Sequence, residues 1–182
     1  MLPEPSGLSG ETGANGANEA ENKPLHTGQF SGRVQFEQLV RDALATAARE
    51  GWREIVLCDA TFSDWPLGER SVDASLRAWS KTGRKMTLLA KHYRDVAAQH
   101  HRFVAWRGQW SHIIEARAVA SADVLEITSG IYSNGWVMRR NEPVRSIGVC
   151  STEPARRVAL REEIDGWLLK SSAAFAATTL GL

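Results

Sequence analysis

The sequence predicts an α/β protein in which a single-domain sheet is flanked by helices, and three observations support this fold class. Some segments have the three- and four-residue apolar spacing of amphipathic helices, whereas others are short apolar runs typical of buried strands. The two kinds of segment alternate along the chain, which favours a sheet with parallel strands. A length of 182 residues with 43% hydrophobic residues suits one domain with a sizeable core.

The first 31 residues differ in composition from the rest of the chain. They are rich in Gly, Asn, Glu, Pro and Ser and poor in large apolar side chains. Such a segment buries too little surface to offset the entropy that it loses on ordering. We therefore expect residues 1–31 to be a disordered leader and residues 32–182 to form the α/β domain.

The first half of the domain is expected to contain two helices and two strands. Apolar spacing predicts a helix over 36–50, and an apolar run predicts a buried strand over 54–59. A second helix is expected over 69–81 and a second strand over 85–90. A strand, a helix and a strand in this order form a parallel unit.

The second half is expected to contain a long helix, several extended segments and a terminal helix. In chain order these are a helix over 94–110, strands over 113–119 and 124–127, an extended segment over 131–138, a strand over 146–150 and a helix over 154–170. Asn134-Gly135 is a turn signal inside the extended segment. Pro154 suits the first turn of the last helix.

Two places carry polar side chains that a core strand does not require. Asp59 ends the first strand, beyond which open α/β sheets bind ligands, and Asp64 lies in the loop that follows. Glu115 and Arg117 are two residues apart in the third expected strand, so they project from one face of the sheet. His112 is three residues from Glu115, and strict alternation places it on the opposite face. These five residues are candidates for ligand binding.

The order of elements, together with the residues around Glu115, resembles half of the phospholipase D-like fold. In that superfamily a strand carries His-x-Lys followed four residues later by Asp, and a hairpin strand leads to a Gly-Ser-x-Asn-type turn. Glu115-Ala-Arg117 stands where His-x-Lys would fall, Asp123 lies one residue later than the family Asp, and Ser129 lies near the turn. The resemblance covers about 36–175 and adds Ser129 to the candidate ligand-binding residues.

Three segments also resemble an uncharacterised bacterial domain that occurs alone or fused behind a GNAT-type N-acetyltransferase. They are 57–67, 110–117 and 177–182. The chain contains no segment that resembles an acetyltransferase, so the resemblance implies an accessory domain. A homodimer and an acetyltransferase-type partner are the associations that it implies.

The resemblance does not imply the superfamily's chemistry. Such phosphodiesterases use a His nucleophile, a Lys on the phosphate and an Asp that orients the His, but position 115 is Glu. A carboxylate brought to a phosphodiester adds repulsion. Arg117 could hold a phosphate or carboxylate bidentately, or it could be neutralised by Glu115. We expect no catalytic residue and no cofactor, and a small anionic ligand in a cleft lined by Asp59, Glu115 and Arg117.

The charge distribution is uneven although the net charge is only +1. Between Arg77 and Arg107 there are eight Lys or Arg and a single acid, Asp95. A solvated face is the favoured interpretation, and a surface that contacts phosphates is the alternative. Nucleic acid is therefore not an expected partner.

The remaining features indicate an intracellular protein without a metal. No apolar run approaches the ~20 residues of a membrane helix and no signal sequence is visible, so we expect a cytoplasmic location and no membrane contact. Cys58 and Cys150 are expected to be buried reduced thiols. His100 and His101 are adjacent on a helix, about 100° apart, without other ligands at metal-binding spacing.

Three functions remain open at this point. The favoured hypothesis is a non-catalytic phospholipase D-like module that binds a partner protein or a small anion. The second is a phosphodiester or phosphotransfer enzyme with a rearranged site in which His112 and Glu115 form an acid/base pair. The third is a nucleic-acid-binding domain that uses the basic stretch and its tryptophans, although the spacing of those tryptophans favours core positions.

Overall fold

The computed structural model describes residues 24–83 and 85–177, and eight strands within them form one mixed sheet. The strands are β1 (Gly28–Ser31), β2 (Glu54–Cys58), β3 (Lys85–Ala90), β4 (Ile114–Ala118), β5 (Ser129–Tyr132), β6 (Val137–Glu142), β7 (Ile147–Ser151) and β8 (Ser172–Ala173). The helices are α1 (Arg33–Glu50), α2 (Arg70–Ser80), α3 (Arg94–Gln99), α4 (His101–Gln109) and α5 (Pro154–Leu169). The expected α/β fold, a sheet flanked by helices, is confirmed.

The sheet has a parallel centre and an antiparallel half. Its order is β1-β7-β6-β5-β2-β3-β4-β8, and β2, β3 and β4 run parallel. The hairpin of β5 and β6 joins β2 antiparallel, and β7 and β1 extend it to the edge. The carboxyl end of β2 therefore lies at the junction between the two halves of the sheet.

Helices cover the sheet on both faces, and each face has its own apolar core. Trp79 of α2 and Trp106 of α4 are fully buried in the larger core, with Phe36 of α1. Leu160 and Ile164 of α5 pack in the second core against Val56, Cys58 and their neighbours. The two tryptophans fill helix–sheet contacts, as their spacing predicts, and their buried rings are not available for base stacking.

Two elements of the second half differ from the prediction. The helix expected over 94–110 is interrupted at His100, whose backbone has φ −115° and ψ 54° and whose buried Nε2 contacts the Phe62 carbonyl oxygen at 3.0 Å. The strand expected over 124–127 is a turn, because an Asp123 carboxylate oxygen accepts a hydrogen bond from the Leu125 amide at 2.9 Å. A local side-chain bond thus replaces strand pairing there.

Strand β1 lies ahead of the expected domain boundary at residue 32. Strand β1 pairs antiparallel with β7, and its Phe30 is buried in the larger core. The Trp136 indole also donates a hydrogen bond to the His26 carbonyl at 2.9 Å. The boundary at residue 32 is a prediction from composition, and the composition of a segment does not reveal a single buried aromatic residue such as Phe30. Residues 1–23 lie outside the described part of the chain.

Both cysteines are free and buried, as predicted. Burial raises the pKa of Cys58 well above its usual value and that of Cys150 to about 12. Both side chains are therefore thiols, not thiolates, at neutral pH. In the described residues, none of the helices has the length and apolar character needed to cross a membrane.

Candidate binding site and basic surface

Asp59 organises the loop at the carboxyl end of β2. One of its carboxylate oxygens accepts hydrogen bonds from the backbone amides of Thr61 and Phe62, at 3.0 and 2.8 Å. These bonds hold a tight turn in which Phe62 has a positive φ of 56°. The other oxygen accepts a bond from the Ser129 hydroxyl at 2.6 Å. Asp59 thus both caps local amides and joins a polar network from a different strand.

A buried guanidinium, that of Arg140 on β6, completes this network. It donates to Asp59 at 2.8 Å, to the Ser129 hydroxyl at 3.0 Å and to both carboxylate oxygens of Asp64. Its guanidinium carbon also lies 4.1 Å from the centre of the Phe36 ring. With 2% of its side chain exposed, Arg140 carries a buried charge, and Asp59 and Asp64 are the carboxylates that compensate it in the described part of the chain.

Three of the six predicted site residues, Asp59, Asp64 and Ser129, are therefore brought together, and Arg140 is the member that sequence reasoning missed. A signal for it was present. In a strand, Met138 and Arg140 share a face, and the neighbouring Met is an apolar residue typical of a core-facing position. Of the two adjacent arginines, Arg139 is therefore exposed and Arg140 faces the core.

The other three predicted residues lie elsewhere. Glu115 pairs with Lys85 at 2.9 Å, and its distance to the Arg117 Nε is 4.0 Å. Arg117 donates to the Ser171 hydroxyl and carbonyl oxygens at 2.9 and 2.7 Å, just beyond α5. His112 is exposed in the single 3-10 turn that precedes β4. The guanidinium of Arg117 holds the end of α5 against β4.

The expected cleft between Asp59, Glu115 and Arg117 does not form among the described residues. Arg117 meets the chain that follows α5 on one face of the sheet. Asp59 meets Arg140, which contacts α1 on the other face. Side-chain alternation explains the separation, because β2 and β4 present these residues to opposite faces.

The network offers recognition and electrostatics, not nucleophilic chemistry. The Ser129 hydroxyl donates to the Asp59 carboxylate and accepts from the Arg140 guanidinium. Because that carboxylate is itself paired with Arg140, it is a weak base for the hydroxyl proton. Cys58, the residue before Asp59, is a buried thiol whose pKa is raised by burial. An activated nucleophile needs a lowered pKa or an adjacent base.

A second polar feature is the basic face, which we define as Arg70 and Arg77 of α2, Lys81 just beyond the end of α2, and Arg102 of α4. The two helices pack side by side, and Arg77 bonds the Gln109 side chain across them at 2.5 Å. Arg102 donates to the Gly68 carbonyl at 2.9 Å. Arg70, Lys81 and Arg102 are exposed, and Arg77 has 40% of its side chain exposed.

Comparisons with known proteins identify a structural neighbour and no family. No family model matches the chain, and no curated protein matches it. Among solved structures the chain is similar to TrmBL2, described as an archaeal chromatin protein that shows a novel mode of DNA binding. The TM-score is 0.60 at 13% identity, over 84% of this chain and 56% of that one. The likeness shows a shared fold.

Two expectations are corrected by this finding. The identification as a phospholipase D-like module of bacterial, acetyltransferase-associated type is wrong, because the structural likeness is to an archaeal chromatin protein. The degenerate motif at Glu115 is a pair of surface ion contacts on β4. The expectation that nucleic acid is not a partner is likewise corrected, since the similar structure is that of a protein described as binding DNA.

Proposed function

We propose that this protein binds nucleic acid, with double-stranded DNA as the first substrate to test, and that it does so through the basic face. The observation that carries the proposal is the excess of cationic side chains over acids on α2 and α4. Asp73 is the only acid in α2 and it pairs with Arg77 at 2.8 Å, while α4 contains no acid.

Arg70 and Lys81, at the two ends of α2, differ from three arginines around α5 in how they are paired. Arg139, Arg156 and Arg161 each pair with a carboxylate at 2.9 to 3.0 Å. Within the described ranges, neither Arg70 nor Lys81 has an acid within 4.0 Å. Unpaired exposed cations are available to replace the counterions of a phosphate backbone, whereas paired ones would first have to leave their carboxylates.

The dimensions of the basic face suit a phosphate backbone. Helix α2 has 11 residues and so spans about 16 Å, with Arg70 at its start and Lys81 just beyond its end. Successive phosphates of one strand are about 3.4 Å apart along the axis, so several lie within that length. Backbone contacts of this kind position a protein without reading sequence. Likeness to TrmBL2 supports the choice of DNA as the first ligand.

The test is fluorescence anisotropy with a labelled duplex of roughly 20 base pairs, between about 50 and 200 mM salt. The full chain should bind, and the double variant Arg70→Gln with Lys81→Gln should bind more weakly. Each phosphate contact contributes about 0.9 to the slope of log K against log salt, so the slope should fall by about 2.

A matched control removes the same charge from the opposite side of the sheet. Arg156→Gln with Lys170→Gln also replaces one exposed Arg and one exposed Lys, and it should leave both affinity and slope unchanged. Equal losses in the two double variants would show a non-specific charge effect and would contradict the assignment to the basic face. Absence of binding at the lowest salt would reject the proposed function itself.

A further inference from the structure

A cavity of about 220 Å³ opens beyond the carboxyl end of β2, over the buried ion network. The network residues Asp59, Ser129 and Arg140 line its inner part, and the loop residues Thr61, Ser63 and Asp64 line one side. None of these residues belongs to the basic face. The cavity is therefore a second feature, independent of the proposed function.

The floor of the cavity carries one more negative than positive charge. Two carboxylates, Asp59 and Asp64, share the single guanidinium of Arg140. Arg33 also lies close enough to Asp64 to feel its charge, but its guanidinium pairs with Glu37 at 2.7 Å. That additional pair is neutral, so the unbalanced charge on the floor remains negative.

Asp64 is the part of the network that a ligand can reach. Its side chain is 27% exposed, whereas those of Arg140 and Asp59 are 2% and 6% exposed. Each carboxylate oxygen of Asp64 accepts from Arg140 and keeps further acceptor capacity. The Thr61 hydroxyl donates to that of Ser63 at 3.0 Å, which leaves the Ser63 hydroxyl hydrogen free to point elsewhere. The accessible Asp64 oxygens are thus acceptors, and the Ser63 hydroxyl can still donate.

The mouth of the cavity is apolar. Among the described residues six large apolar side chains are exposed, and three of them, Val124, Leu125 and Val144, line this one cavity. Leu125 and Val144 are 77% and 86% exposed. Exposed apolar side chains that gather at a polar pocket mark a place where a ligand or partner covers them.

We propose that this cavity binds a small primary alkylammonium ion, with its ammonium group on Asp64 and its alkyl chain across Val124, Leu125 and Val144. A –NH₃⁺ group supplies three donors to a site with spare acceptors and an unbalanced negative charge. The apolar rim covers the alkyl chain. This reverses the sign of the ligand expected from the sequence, because Arg117 lies elsewhere and Arg140 offsets only one of the two carboxylates at the cavity.

The test titrates isotopically labelled full-length protein with hexylammonium, hexanol and hexanoate and follows amide chemical shifts. Hexylammonium should bind saturably, with shifts confined to 59–64, 124–129 and 140–144. Hexanoate should bind at least about tenfold more weakly, since its charge is repelled and it lacks the charge-assisted bonds. Tighter or equal binding of hexanoate overturns the proposal, as does a set of shifted amides elsewhere in the chain.

Two variants separate charge from apolar contact. Asp64→Asn keeps the side-chain shape and should weaken hexylammonium binding about tenfold while leaving hexanol binding unchanged. Leu125→Ser, at an exposed position that cannot affect folding strongly, should weaken both ligands. Leu169→Ser changes an equally exposed Leu on α5 and serves as the matched control. If Leu125→Ser and Asp64→Asn both bind hexylammonium as the unaltered protein does, the site is elsewhere and the proposal fails.

Discussion

At the scale of single residues, two buried arginines have opposite environments. Arg140 has carboxylate, hydroxyl and aromatic partners on all sides. Arg107 on α4 is 7% exposed, yet within the described ranges its Nε and Nη1 have no hydrogen-bond partner. Its guanidinium carbon lies 5.7 Å from the centre of the Phe175 ring, and burial lowers its pKa. The two residues should respond oppositely to the same substitution.

Replacement Arg140→Met should destabilise the protein by about 3 kcal/mol, because it leaves the Asp59 carboxylate buried without a cation. Chemical denaturation monitored by tryptophan fluorescence measures the change. The exposed neighbour gives the control, and Arg139→Met should alter the free energy of unfolding by less than about 1 kcal/mol. Similar losses in the two variants would show that the network does not stabilise the fold.

Replacement Arg107→Met should stabilise the protein by about 1 kcal/mol. The change removes buried donors that have no acceptor among residues 24–83 and 85–177, and it keeps the apolar stem of the side chain. The same denaturation experiment measures it. A loss of stability would mean that the contact with Phe175 outweighs the desolvation of the guanidinium.

At the scale of elements, one ion pair joins α1 to the start of α2. Two guanidinium nitrogens of Arg41, Nε and Nη2, each donate a hydrogen bond to one carboxylate oxygen of Glu69 at 2.7 Å, in a bidentate arrangement. The hydrogen bonds from Arg41 lower the pKa of Glu69 below its usual value. A carboxylate whose pKa is lowered in the folded state stabilises that state above its unfolded pKa, and this contribution is lost as the pH falls through the folded pKa.

Substitution Glu69→Gln should therefore cost up to about 1 kcal/mol at neutral pH, a modest value because 40% of the Glu69 side chain is exposed. Below the folded pKa of Glu69 the variant and the unaltered protein should become equally stable. Unfolding free energies measured from pH 7 down to about pH 3 test this. Glu162→Gln, at an exposed acid on α5, is the control. A pH-independent difference would contradict the electrostatic explanation.

At the scale of the whole molecule, the edge strand β1 bears on where the folded domain begins. Phe30 is 2% exposed and packs on Phe36 with ring centres 6.4 Å apart, whereas Gln29 beside it is exposed. The edge strand β1 also forms backbone hydrogen bonds with β7 along their antiparallel pairing. We propose that the folded domain includes residues from about 24 onward.

Replacement Phe30→Ala in the full chain should destabilise the protein by about 3 kcal/mol, as for a buried aromatic in a core. Gln29→Ala should have little effect. Thermal unfolding followed by circular dichroism compares them. Equal stability of the two variants would return the domain boundary to residue 32 and make β1 an accessory strand.

The sequence by itself determined the fold class and part of the secondary structure. Apolar periodicity predicted α1, α2, α5 and the parallel strands closely, since burial on one face imposes that spacing. Asp59 and Asp64 are predicted as site residues from their place after β2, and Ser129 from the family resemblance. The structure brings the three together around Arg140, and their role in binding stays a prediction.

Tertiary structure alone decided how those residues combine. Ser129 and Arg140 reach Asp59 across 70 and 81 residues of sequence, and no local pattern encodes such contacts. In the strand order β3 lies between β2 and β4, so Glu115 and Arg117 are distant from the loop after β2. Their side chains also project from the other face of the sheet. The site is negatively charged because the fold brings two carboxylates, Asp59 and Asp64, to the single guanidinium of Arg140. Periodicity records which residues are buried, whereas the partner of each buried charge depends on strand pairing over long separations.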